Sequence, residues 1–374
     1  VSGAVAGTAG RRDGWLLYGA NGYTGELIAR EAVRRGLRPV LAGRNAQAIE
    51  ALGRELGCPT AVLGLDDADA LVGALRGVRA VLHCAGPFSA TAQPMLRACL
   101  AAGAHYLDIT GEIDVFEAAH ALDAQARAAG VVLCPGVGFD VVPTDCVAAR
   151  LAAGLPDATY LALGFHSSGR PSRGTARTSI EGLASGGRIR SSGRIVAVEH
   201  AFRSRDIDFG DGKTRSAVTI PWGDVSTAYH STGIPNIEVY MSMPAERIAQ
   251  LRRANRLRWL LRLGFVQARL KARAARGAPG PDAAARERSP TLVWGEAQAP
   301  SGATLTATLK VGNGYEVTVH AALGVLERLL THGADGLAGH RTPSQLVGSG
   351  FVETLPGSGR VRLEPGRAWE PRTT

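Results

Sequence analysis

The chain has 374 residues, with 42 Lys and Arg against 33 Asp and Glu, and 45% of its residues are apolar. No apolar run approaches the ~18 residues needed to cross a bilayer, and the hydrophobic content excludes wholesale disorder. The excess of nine positive charges lies in residues 245–290, which carry twelve basic and three acidic side chains without any aromatic-interleaved platform, a pattern that argues against a nucleic-acid partner.

Residues 1–13 are small and Gly-rich, lack the basic-then-apolar order of a secretory signal, and are expected to form a flexible tail. From Trp15, short apolar runs at 15–18, 38–43, 60–65, 79–86, 105–110 and 131–136 alternate with amphipathic stretches at 24–35, 46–56, 67–76, 90–102 and 112–129. Unbroken apolar strands alternating with helices predict a parallel sheet covered on both faces, a Rossmann-type doubly wound α/β domain over 14–154, closed by a helix after Pro143. Beyond it, β-like segments at 158–166, 194–200, 216–220, 236–243, 291–297 and 303–311 mix with helix-like ones at 175–186, 245–276 and 316–332. They predict a second, mixed α+β domain over 155–340 for substrate binding or oligomerisation, with a breaker-rich loop at 277–290 and a C-terminal segment over 341–374.

Between the first strand and the first helix lies Gly19-Ala20-Asn21-Gly22-Tyr23-Thr24-Gly25. Glycines at 19 and 22 let the backbone turn and approach a pyrophosphate, Gly25 lets helix and sheet pack closely, and the helix N-terminus offers free N–H groups. Gly19, Asn21, Gly22, Tyr23, Thr24 and Gly25 are therefore candidate cofactor contacts. The second strand ends in Arg44 and Asn45 instead of the acidic residue that would accept from an adenosine ribose. An arginine there suits a 2′-phosphate and selects NADP. The fourth strand ends in Ala85-Gly86-Pro87-Phe88, which should run beside the nicotinamide and its ribose.

A reduction needs a positioned acceptor and one proton. Glu112, Asp140 and Asp145 stand at the ends of the fifth and sixth strands as catalytic carboxyl candidates, with His83 and Tyr106 as alternatives and His166 or His230 as second-domain fallbacks. Each carboxyl also has a structural reading, as a helix-terminal group or an acceptor of backbone amides. Tyr106 and Phe139 are candidate substrate contacts. Arginines at 170, 173, 177, 188, 190 and 194 flank a Gly/Ser-rich stretch and suit a phosphate of coenzyme A or phosphopantetheine, Arg177 first among them; solvated arginines are the alternative. The basic helix carrying WLLRLGFV (259–266) suits burial against a neighbour or a second subunit, an anionic membrane surface, or an acidic carrier protein.

Other chemistries fail on residue types. No tyrosine is followed four residues later by lysine, and the three lysines are Lys213, Lys271 and Lys310. The five cysteines form no CxxC pair, which argues for a reducing cytoplasm and against a metal centre.

In YGANGYTG (18–25), AGR (42–44), CAGPF (84–88), YLDITGE (106–112) and GFDVVPTD (138–145) the chain resembles the saccharopine dehydrogenase-like oxidoreductases, a family that includes trans-acting enoyl reductases. SRGTARTSIEGL (172–183) and TGIPNIEVYM (232–241) extend the resemblance over most of residues 14–357. It implies a Rossmann domain carrying NADP and a second domain whose sheet lies over the nicotinamide, with the chain end returning to the first domain in some members. Val141 and Thr144 depart from it, standing where relatives commonly show serine.

Two functional classes fit these residues. One is an NADPH-dependent reductase of a C=C or C=N bond in a lipid, polyketide or specialised-metabolite intermediate, presented free or as a thioester on coenzyme A or an acyl carrier protein. The other is a non-catalytic NADPH-binding protein acting at a membrane surface or in an assembly.

Overall fold

An unbroken apolar strand must be covered on both faces, and the first half of the chain builds that arrangement. The computed structural model describes residues 14–366 apart from 170–171, 173–179, 181, 183–185, 257, 262, 276–279 and 335. The chain runs through β1 (Gly14–Tyr18), α1 (Tyr23–Arg34), β2 (Val40–Gly43), α2 (Ala46–Leu56), β3 (Thr60–Val62), α3 (Ala68–Leu75), β4 (Val78–His83) and α4 (Phe88–Ala102). It continues through β5 (His105–Asp108), α5 (Ile113–His120), α6 (Asp123–Ala129), β6 (Val132–Cys134) and α7 (Val142–Gly154). The strands are parallel in the order 6-5-4-1-2-3, so the topology switches between β1 and β4. In open sheets of this kind ligands bind beyond the strand ends at such a switch. The stretch expected as one helix over 112–129 is two, because the chain turns at residues 121 and 122 before α6 begins.

The second domain opens with β7 (Tyr160–Ser167), β8 (Gly187–Ser191), β9 (Arg194–Val198), β10 (Ser204–Asp208), β11 (Thr214–Thr219), α8 (Asp224–Thr232) and β12 (Asn236–Ser242). Helices α9 (Ala245–Arg256), α10 (Arg258–Leu261), α11 (Gly264–Ala275) and α12 (Ala283–Glu287) follow, the last inside the expected loop. Then come β13 (Thr291–Gln298), β14 (Thr304–Val311), α13 (Gly314–His332), β15 (Gly339–His340), α14 (Pro343–Val347) and β16 (Arg362–Pro365). The second sheet is ordered β10-β11-β12-β7-β13-β14-β16, and among the described residues only β7 and β12 pair in parallel.

This sheet rolls up. Three strands separate β10 from β13, which in a flat sheet would hold them about 19 Å apart. Yet Arg205 Nη2 lies 3.0 Å from Glu296 Oε1, and a Cβ on Gly210 would fall 2.8 Å from Thr308 Cβ. The outer face thereby closes on itself, burying Ile207, Phe209, Tyr240 and Trp294 against one another. Charge is buried with them: Glu238 accepts the hydroxyls of Tyr160 (2.8 Å) and Tyr240 (2.5 Å) and pairs with Arg203, while the Arg205 guanidinium lies 4.6 Å from the Trp294 ring centroid.

The two domains share elements. Val317 and Ala321 at the start of α13 pack with the second sheet, whereas Val319, Ala322, Val325, Leu326 and Leu329 enter the core under β1 and β4. β15 then joins β6 as a seventh parallel strand, and β16 returns to pair with β14. The passage back to the first sheet thus begins at residue 314, ahead of the boundary drawn at 340, and residues 362–365 belong to the second sheet.

Candidate active site

The glycine loop is shaped by close approaches. Gly19 adopts φ +81° and packs on Ala85, where a Cβ would lie 2.8 Å from the backbone N; a Cβ on Gly25 would lie 2.2 Å from the Gly19 carbonyl O. Gly22 is exposed, is the N-cap of α1, and brings no side-chain cap to the helix's first turn. Uncapped amides at a glycine-lined N-terminus with room for an anion are the donor set a pyrophosphate requires, so these residues fit a dinucleotide. Asn21 lies over Gly43, whose absent side chain makes room for it: a Cβ there would be 3.0 Å from Asn21 Oδ1. Thr24 sits half-buried on the first turn.

Tyr23 uses its side chain otherwise. Its hydroxyl donates to the Pro281 carbonyl (2.5 Å) and accepts from Arg286 (3.2 Å), and its ring stands edge-on to Tyr315 at 5.1 Å. It therefore leaves only its backbone to the cofactor and ties the loop to the second domain. Arg44 is exposed at the end of β2 and makes no ion pair among the described residues, placed to meet a charged group arriving beside the loop. Asn45 caps α2, its Oδ1 accepting from Ala48 N at 3.1 Å.

Beyond β4, Gly86 is exposed and Ala85 and Pro87 half-buried, with a cis peptide between Gly86 and Pro87. Phe88 turns inward, edge-on to the buried His83 ring at 5.3 Å, so its side chain is core and not a cofactor contact. The loop is held from below: Thr91 Oγ1 donates to the Ala85 carbonyl (2.7 Å) and faces His83 Nε2 (2.9 Å). Glu112 holds it from the side, accepting Phe88 N (2.9 Å) and Ser89 N (2.7 Å) with its two oxygens. That carboxylate caps α4, a helix 24 residues upstream. The geometry corrects its catalytic reading to a positioning one.

The three catalytic carboxyl candidates separate clearly. Asp145 is fully buried, accepting Ser231 Oγ (2.6 Å) and Ser344 N (2.7 Å); it joins α7, α8 and α14 and is removed from the catalytic set. Asp140 is half-buried against Gly111, where a Cβ would lie 2.9 Å from its Oδ2. Desolvation, and then the Glu112 carboxylate, push its carboxyl up to about 7. Such a group exchanges a proton near neutrality, as an acid catalyst must. A fourth carboxyl went unread in the sequence. Asp224, at the start of α8, is fully buried, neither oxygen meets a hydrogen-bond donor in good geometry, and burial holds it well above the usual carboxylate range.

Around Asp140 the wall is apolar. Phe139, whose backbone N donates to Thr318 Oγ1 (3.0 Å), stands edge-on to Phe165 at 5.6 Å, and Trp222 lies 4.9 Å beyond. Ile113 from the first domain joins Phe165 and Val239 from the second sheet, with Ile195, Met241 and Met243 partly exposed beside them. This face meets the carboxyl ends of β5 and β6.

Several other expectations are corrected. Tyr106 is fully buried with its hydroxyl donated to Asp108 (2.6 Å), so it cannot touch substrate. His83 is buried and its pKa lowered to about 3 by desolvation, which leaves it no proton to give. His166 lies on the sheet face opposite Phe165, hydrogen-bonded to Ser242 (2.6 Å). His230 stacks on His120 at 4.0 Å and stands 5.2 Å from His340, filling a seam between the domains. Arg190 is buried under Tyr229 and bonded to the Val225 and Gly193 carbonyls (2.8 Å each) and to Glu117, while Arg188 pairs with Asp114, so neither remains for a phosphate. Arg177, Arg170 and Arg173 lie outside the described residues.

Residues 15–134 match the family described as "Saccharopine dehydrogenase NADP binding domain". A saccharopine dehydrogenase-like oxidoreductase of Mus musculus is 27% identical over 150 residues, covering 35% of this chain and 35% of its own length. A trans-acting enoyl reductase of Mycobacterium tuberculosis is 32% identical over 141 residues, covering 35% of this chain and 33% of its own length. The chain thus aligns with about a third of these curated relatives. Saccharopine dehydrogenase (L-Glu forming) from Saccharomyces cerevisiae shares the fold at a TM-score of 0.62 and 10% identity, over 94% of this chain and 99% of that one. Among the described residues no helix is long and apolar enough to cross a membrane, and no cluster of His, Cys, Asp and Glu is arranged to hold a metal ion.

Proposed function

From the premise that residues 15–134 are a saccharopine dehydrogenase-type NADP-binding domain, we propose that the protein is an NADPH-dependent reductase of an enoyl C=C bond in an apolar, thioester-activated acyl substrate. NADPH supplies the hydride when bound. The loop at 19–25 would hold its pyrophosphate, Arg44 its 2′-phosphate, and Ala85 to Pro87 the side nearest the nicotinamide ribose. Glu112 keeps that last loop in place through α4. Asp140 delivers the proton: as hydride reaches the β-carbon, the electron pair moves to the α-carbon, which takes the proton from the Asp140 carboxyl and leaves a carboxylate that solvent reprotonates.

One observation carries the reading: the Asp140 carboxyl, set against Gly111, directly follows Phe139 in an aromatic wall with Phe165 and Trp222. Aromatic and aliphatic lining suits an acyl chain, and the described residues of that wall carry no positive charge. The mycobacterial relative's name points the same way. NADPH oxidation measured with enoyl thioesters of increasing chain length, and with imines in parallel, tests it. Turnover of enoyl thioesters that improves with chain length supports the proposal; turnover of imines alone, or of neither, refutes it.

A further inference from the structure

Helices α9 to α11 form the most basic part of the chain: residues 245–275 carry nine basic side chains and one acidic, Glu246. Such a segment is ordinary when its apolar residues face a core. Here they do not. Trp259 of α10 is 67% exposed, Phe265 of α11 72% and Leu263 between them 37%. Along α11, Phe265, Arg269 and Arg273 follow at intervals of four and are all exposed, so one stripe of the helix carries an aromatic ring and two guanidinium groups. Arg253 and Arg256 are exposed at the end of α9. The opposite side is anchored, with Ile248 of α9 buried against Ala201 and Val218.

We propose that this face docks the protein on an anionic lipid surface. Bulky apolar side chains stand exposed amid arginines, and the single acid of the segment does little to offset the charge. An interfacial helix has this build: rings enter the headgroup–acyl boundary while cations meet lipid phosphates. Charge complementarity alone would also suit an acidic protein. Two exposed aromatic rings set among arginines favour lipid, whose acyl boundary takes the rings while its phosphates take the cations. The inference is independent of the reaction assigned above, though a membrane would be the natural source of a long-chain acyl substrate.

Sedimentation of the full chain with phosphatidylcholine vesicles, with and without phosphatidylglycerol, tests it. Binding should require phosphatidylglycerol and fall as salt is raised. The double variant Trp259→Ala, Phe265→Ala should bind about tenfold or more weakly, as should Arg269→Glu, Arg273→Glu. Both variants should retain NADPH affinity, which certifies the fold. No binding to either vesicle overturns the proposal, as does binding that ignores both sets of substitutions. A dimer in solution that Trp259→Ala, Phe265→Ala converts to monomer, without vesicle binding, would reassign the face to a second copy of the chain.

Discussion

The two sheets of this molecule solve the same problem in opposite ways. The first hides continuous apolar strands between helical layers and leaves ligand recognition to its strand ends, where backbone amides and absent side chains shape the glycine loop. The second rolls on itself and buries charge, matching arginines to carboxylates across strands far apart in order. Backbone geometry therefore shapes the place of the pyrophosphate in the first domain, and individual side chains govern the second domain and the rest of the crevice. A substitution should act on binding or on chemistry according to which side of the crevice it touches.

The sharpest way to break that division is at Gly22. A Cβ there meets only the Gly19 carbonyl, at 3.3 Å, so Gly22→Val should fold, yet its branched side chain fills the anion's place. NADPH affinity by calorimetry should fall about a hundredfold or more, some 3 kcal/mol, with the circular dichroism spectrum unchanged. Asp140→Asn should do the reverse, lowering turnover about a hundredfold while leaving the NADPH dissociation constant alone. Its pH profile adds a sign. As the proposed acid, Asp140 would work in its protonated form, which is depleted above its raised pKa of about 7, so turnover of the unaltered protein should decline as pH rises through 7. The Asn variant's residual rate should lack that decline.

A smaller effect separates cofactors. Arg44→Ala should abolish an NADPH-over-NADH preference of about tenfold, or ~1.4 kcal/mol, without altering NADH affinity. Equal affinity for both cofactors in the unaltered protein would remove Arg44 from the site. Least of all, Tyr23→Phe deletes one hydrogen bond to Pro281 and one from Arg286, and should cost about 1 kcal/mol in thermal or denaturant unfolding. Because that hydroxyl joins the glycine loop to the second domain, a change in NADPH affinity larger than the change in stability would show the two regions to be less separable than the sheets suggest.

What could be read from the residues alone follows the same line. Strands β1 to β6 announce themselves as apolar runs, and the glycine loop is visible because its position after β1 gives the spacing meaning. Strands β8 and β10 were missed. Their arginines, Arg188 and Arg190 in one and Arg205 in the other, look like solvated charge until Asp114, Glu117 and Glu296 arrive from remote parts of the chain. Helix α8 escapes a reading of the residues because Asp224–Thr232 is rich in Ser and Thr, poor helix formers held helical by burial. The carboxyls show a third limit. Glu112 past β5 and Asp140 and Asp145 past β6 look alike, and only their surroundings distinguish a cap, a carboxyl raised by burial and a tie. Tyr106 looks like a substrate contact by its place near a strand end, yet all four residues of β5 are buried.

Helix α13 also fixes the order in which the molecule can be completed. The core under β1 and β4 lacks the apolar side chains of α13 while the whole second sheet is being synthesised. A nascent chain emerging from the ribosome cannot close its cofactor domain when that domain's own sequence is finished. Both sheets wait for the same late segment, since residues 314–340 roof and extend the first and residues 362–365 complete the second.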